Sequence, residues 1–104
     1  MGLDELKGIL EAVFPTAYWE FPKGKAPKMP YICFFENYST NFGADNVVYH
    51  PRNRISVELY TQKKSREAES KLEAAFLNAE LFWNKDETVL EDENCYEVIY
   101  TLEV

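Results

Sequence analysis

Residues 54–79 read Arg54-Ile-Ser-Val-Glu-Leu-Tyr-Thr-Gln-Lys-Lys-Ser-Arg-Glu-Ala-Glu-Ser-Lys-Leu-Glu-Ala-Ala-Phe-Leu-Asn-Ala79. Ile55, Val57 and Leu59 alternate with Arg54, Ser56, Glu58 and Tyr60, the two-residue period of a strand with one face in a core. A polar turn follows. Ser65 is then a good N-cap, Glu67 suits the positive end of a helix, and Glu67 and Lys71 form a favourable i,i+4 pair. Ala68, Leu72, Ala75, Phe76 and Ala79 fall on one helical face. A strand that passes through a short turn into an amphipathic helix sets the fold class, and the remaining segments are placed around it.

Upstream, 3–13 reads as a short helix with Asp4 and Glu5 in its first turn and an apolar stripe of Leu3, Leu6, Ile9, Leu10 and Val13; Pro15 terminates it by excluding Phe14 from the helical region. A short aromatic strand is expected at 18–21. The segment 22–30 carries three prolines and Gly24, which leaves few donors for a ladder, so it is a loop. Its lysines, Lys23, Lys25 and Lys28, are too few for a binding patch. The run 31–38 is a strong strand, apolar at almost every early position, and both its faces should be covered by a helix, a second sheet or a partner. After a polar loop, 46–49 and 54–60 can pair as a hairpin across a type I turn at His50-Pro51-Arg52-Asn53.

Downstream of the second helix, 81–83 and 88–90 read as short strands around a turn at Asn84-Lys85-Asp86-Glu87. A long strand follows over 95–104, with Val98, Tyr100, Leu102 and Val104 on one face. Placed last, it is expected at a sheet edge, where it could pair with another copy. The order α-β-β-β-β-α-β-β predicts a single α+β domain over 1–104, with a mainly antiparallel sheet and two helices packed on one face.

At 104 residues the chain buries roughly two-thirds of its unfolded surface, enough for one modest core. Seven Phe, seven Tyr and two Trp fill that core and leave aromatic surface for contacts. The net charge of −7 is concentrated: residues 1–79 balance ten acids with ten bases, whereas 80–104 hold eight acids and one base. An acidic domain is a poor grip for phosphates, so sequence-specific nucleic-acid binding is not expected. The acidic end reads as a solvated surface or as a complement to a basic partner. No apolar run is long enough to span a bilayer, and there is no secretory h-region. Cys33 and Cys95 lie in strand-like runs without a CxxC pair. They read as small buried hydrophobes in a reducing compartment, able to form a disulfide only if their strands are neighbours.

The search for chemistry yields little. His50 is the single histidine, and its place beside Pro51 suits a turn rather than a Cys–His pair. No His, Cys or carboxylate spacing suits a metal, Glu91, Asp92 and Glu93 lack a calcium-loop pattern, and no Gly-rich phosphate loop exists. Glu36 and Glu58 could face each other on neighbouring strands, an arrangement that on a solvated sheet face rarely means catalysis. With neither catalytic residues, cofactor nor metal expected, the chain reads as a binding or structural protein rather than an enzyme.

Four features in order carry a resemblance: a short N-terminal helix; Ala26-Pro27-Lys28-Met29-Pro30-Tyr31-Ile32, a proline-ended loop entering an aromatic strand; Phe42-Gly43-Ala44-Asp45; and Ile55-Ser56-Val57-Glu58-Leu59-Tyr60-Thr61 running into the 65–79 helix. In this pattern the chain resembles the tail-completion proteins of long-tailed bacteriophages and prophages, also called tail terminators or tail-to-head joining proteins. The acidic last quarter stands outside the pattern. The resemblance implies virion morphogenesis without a reaction or cofactor. The protein would assemble in the host cytoplasm as a ring, a hexamer in this family, at the head-proximal end of the tail. It would stop growth of the tail tube protein, meet the head connector or stopper protein, and remain in the virion at the head–tail junction. A closed ring needs two different surfaces per subunit.

The 39–53 region, with Phe42, Asp45, Tyr49 and Arg52, together with Arg54, is the first candidate for such a surface, because long loops on a rigid sheet commonly carry contacts. The 31–38 strand and the 81–90 segment are second. Glu91, Asp92 and Glu93 would form an acidic surface facing the lumen, over which DNA slides. A small non-catalytic α+β adaptor or regulatory subunit, and a head-side connector or stopper, remain the alternatives.

Overall fold

The computed structural model describes residues 1–37, 54–90 and 94–103. Seven elements follow in chain order: α1 (Leu3–Glu11), β1 (Thr16–Tyr18), β2 (Tyr31–Asn37), β3 (Arg54–Thr61), α2 (Arg66–Asn78), β4 (Trp83–Leu90) and β5 (Cys95–Glu103). The strands form one sheet in the order β1-β2-β3-β5-β4. Every pairing is antiparallel except β1 with β2. This is the expected α+β class with a mainly antiparallel sheet.

Register fixes which side chains share a face. Ile32, Leu59 and Val98 stand side by side across three strands, as do Phe34, Val57 and Tyr100. These residues meet Leu6 and Leu10 of α1 and Ala68, Leu72 and Phe76 of α2 in one buried cluster. Both helices therefore lie on the same side of the sheet. Burying side chains of this size stabilises by roughly 1.5–3 kcal/mol each before chain entropy is charged against them. The α2 start is as expected: Ser65 Oγ accepts a hydrogen bond from the Ala68 N–H at 3.1 Å.

Four boundaries differ from the sequence expectation. The first strand is Thr16–Tyr18 rather than 18–21, because Trp19 takes a positive φ of 70° and leaves the extended region. Helix α1 ends at Glu11; Val13 and Phe14 close the last turn with N–H bonds to the Leu10 carbonyl. The polar stretch at 84–87 is not a turn. It is the middle of β4, in register with 98–101 of β5. The last strand is not at an edge either: β5 lies between β3 and β4, and β4 is the outer strand. The 46–49 strand and the turn at 50–53 lie outside the described residues; β3 is paired along Arg54–Tyr60 by β2 on one side and β5 on the other.

A parallel pair cannot be closed by a hairpin. Residues 19–30 make the β1-to-β2 connection, and its aromatic rings lie against the sheet face that carries no helix. Trp19 stacks on Phe35 with centroids 4.8 Å apart, and Phe21 meets Tyr31 edge-on at 5.3 Å. The strand 31–38 was expected to be covered on both faces. The cover on the second face comes from this connection, not from a second sheet.

Candidate functional site: the helix-free sheet face

Odd-numbered residues of β2 and β5 and even-numbered residues of β3 point away from the helices. On this face Tyr31 is opposite Tyr60, Cys33 opposite Glu58, and Glu58 opposite Ile99. Glu97 is opposite Tyr60 and hence diagonal to Glu58, the spacing at which long side chains on adjacent strands meet. The Tyr60 hydroxyl donates to Glu58 Oε1 at 3.0 Å. Glu97 is 7% exposed. Two carboxyls thus meet in a partly dry setting, close enough to hydrogen-bond to each other.

The physical consequence falls on Glu58. Burial is the larger cause, the Glu97 carboxyl the next, and together they push Glu58 up to about 7. Tyr60 is raised as well, by burial and then by the Glu58 charge. Burial, followed by Glu58, pushes the Cys33 thiol up to about 11, so Cys33 is a neutral thiol rather than a nucleophile. Cys33 and Cys95 are both buried, and β3 stands between their strands.

Above the pair is a cleft of about 310 Å³ between the sheet and the 19–30 connection. Trp19, Phe21, Tyr31 and Tyr60 give it aromatic walls, and Glu20 and Glu58 give it negative charge. A second groove, of about 550 Å³, lies on the same face at the far end of β4, between Arg54, Phe82, Asp86 and Glu103. Phe82 is 89% exposed there, just before the outer strand. Arg54 Nε is 3.6 Å from Glu103 Oε1.

The helix-covered side treats its charge differently. Glu69 on α2 is 4% exposed, yet Lys64 Nζ lies 2.7 Å from its Oε2 and Lys85 Nζ 2.5 Å from its Oε1. Lys64 also pairs with Glu87. Lys85 reaches Glu73 Oε2 at 3.0 Å, and the Tyr100 hydroxyl donates to the same oxygen at 2.7 Å. This network ties α2 to the outer strand. It explains why Asn84-Lys85-Asp86-Glu87 is a strand despite its polarity: Lys85 and Glu87 face α2, and Asn84 and Asp86 face the open groove. Donating hydrogen bonds to the Glu69 carboxylate raises the pKa of both lysines, which keeps them charged.

Of the residues expected at an interface, Arg54 is described and lines the groove beside Phe82. Phe42, Asp45, Tyr49 and Arg52 lie outside the described residues, as do Glu91, Asp92 and Glu93. Glu36 and Glu58 do not face each other. Glu36 is on the helix side, where it accepts a 2.8 Å hydrogen bond from the Tyr18 hydroxyl, and Glu58 is on the opposite face. The carboxyl that does meet Glu58 is Glu97. Strand alternation over 95–104 puts Glu97 on the face opposite Val98, but only the β3–β5 register brings it beside Glu58. Among the described residues, no group of three or more His, Cys, Asp and Glu is placed to hold a metal. No helix among them is long and apolar enough to cross a membrane.

No known protein family, curated protein or solved structure matches the chain.

Proposed function

We propose that this chain is a non-catalytic structural subunit of a phage or prophage virion: a tail-completion protein that closes into a ring at the head-proximal end of the tail and docks to the tail tube and the head connector. One observation carries the structural side of the proposal. Both helices pack on one face of the sheet, which leaves the other face open toward the outer strand β4, with Phe82 89% exposed at its entrance. An exposed aromatic beside an outer strand is a natural anchor for a neighbouring protein. The opposite edge of the sheet is the three-residue β1, flanked by Tyr18 and Trp19. The two edges differ in chemistry, as a head-to-tail ring contact requires. Arg54, expected at an interface from sequence, adjoins Phe82. The sequence resemblance supplies the biological setting.

The test is electron microscopy of tails assembled with and without the chain. Tubes of uncontrolled length in its absence support the proposal; tubes of normal length that join heads without it overturn it. Phe82→Asp sharpens the test. It should leave the fold intact, because Phe82 contributes little to the core, and abolish tube capping.

A further inference from the structure

We propose that the cleft between the 19–30 connection and the helix-free sheet face is a binding site for a guanidinium group, the side chain of an arginine on a partner protein. The cleft combines two complementary elements. Trp19, stacked on Phe35 by one ring face, and Tyr31 line the cleft with aromatic surface against which a flat cation can pack. Glu58 lines the cleft and offers it a carboxyl, with Glu97 beside it on the adjacent strand, and a carboxylate suits the forked donors of a guanidinium better than the point charge of an ammonium. At about 310 Å³ the cleft lies at the small end of ligand pockets, roughly 300–1,000 Å³, which suits one long side chain entering from outside. The chain's charge of −7 favours approach of a cationic partner.

The buried acid on the helix side shows what the cleft lacks. Glu69 has two lysines against it, whereas among the described residues no Lys or Arg forms an ion pair with Glu58 or Glu97. The groups facing Glu58 are Cys33 from β2, Tyr60 from its own strand, Glu97 from β5 and Glu20 from the connection; Asp86 of β4, two strands away on the same face, lines the second groove. All are neutral or acidic, so the empty cleft relieves its like-charge contact by holding a proton. An arriving guanidinium replaces that proton. Binding therefore releases a proton near neutral pH and tightens as pH rises. A Glu58 carboxyl raised to about 7 gives about tenfold tighter binding at pH 8 than at pH 6.

The test is an NMR titration of the ¹⁵N-labelled chain with N-acetyl-arginine amide, and with the citrulline amide as its uncharged isostere. The expected result is saturable binding on the order of millimolar, with shifts confined to the Trp19 indole and the amides of Tyr31, Tyr60 and Glu97, and none at the Trp83 indole. The citrulline amide should leave the spectrum unchanged. Trp19→Ala and Glu58→Gln should each weaken binding at least about fivefold, and Glu58→Gln should also remove the pH dependence; the rest of each spectrum reports that the variant is folded. Equal shifts with the citrulline amide, or unchanged affinity in Glu58→Gln, would overturn the assignment. The site does not depend on ring assembly, so its failure leaves the structural role standing.

Discussion

Glu69 and Glu97 lie at nearly the same depth on opposite sides of one sheet, at 4% and 7% exposure, and their surroundings answer that burial in opposite ways. Around Glu69 the chain brings its own cations, Lys64 from the turn after β3 and Lys85 from β4. Around Glu97 it brings a second acid, Glu58, and a phenol, Tyr60. A buried charge must be paired, hydrogen-bonded or neutralised. The helix side pairs it internally, which closes that face. The open side instead raises the neighbouring Glu58 to about 7, so that a proton there relieves the like-charge contact, a provisional solution that an external cation can replace. The difference gives structural work to one face and, on the proposal above, contact with other molecules to the other.

The largest effect should come from opening the closed side. The double variant Lys64→Ala/Lys85→Ala strands Glu69 and should cost about 3 kcal/mol in thermal or denaturant unfolding. A loss below about 1 kcal/mol would mean that Glu69 does not need its cations.

The open side should show the reverse dependence on charge. Glu58 is raised in the folded state, so the stability its proton contributes is complete below the unfolded value near 4.5 and is lost as pH rises through about 7. Stability should therefore fall by about 1–2 kcal/mol between pH 5 and pH 8, after allowance for water reaching the half-buried pair. In Glu58→Gln that fall should vanish.

Glu97→Gln should raise stability at pH 8 by about 1 kcal/mol, because it removes the like-charge contact while keeping the volume. The contrast with Glu69 is then one of sign, measurable by denaturant unfolding at a single pH. Ser65→Ala gives the smallest effect, about 0.5–1 kcal/mol from the lost N-cap on α2. Because α2 carries Glu69 but not Glu97, that loss should be the same at pH 5 and pH 8.

How far these two faces can be read from sequence depends on what each signal encodes. The run 54–79 is fully legible, since strand alternation, the Ser65 cap and the helix stripe are all local. β4 is not legible. Its Asn84-Lys85-Asp86-Glu87 centre has turn composition, and only the position of α2 above it makes Lys85 and Glu87 suitable strand residues. The place of β5 inside the sheet was likewise hidden, because sequence order does not give spatial order. The carboxyl pair was missed for the same reason: alternation puts Glu58 and Glu97 on strand faces, but the Tyr60-to-Glu97 register decides that they meet, and Glu36 was a plausible but wrong partner. The aromatic walls were partly visible in the 18–21 run. Their position over the sheet follows from the parallel β1–β2 pairing, which no local pattern encodes.

The most direct test of this contrast is a ¹³C-detected NMR titration of the glutamate side-chain carboxyls from pH 3 to pH 9. A Glu58 transition near 7 is the predicted result. A Glu58 transition in the ordinary carboxylate range, about 4 to 5, would contradict it, because the open face would then hold no proton for a partner to displace.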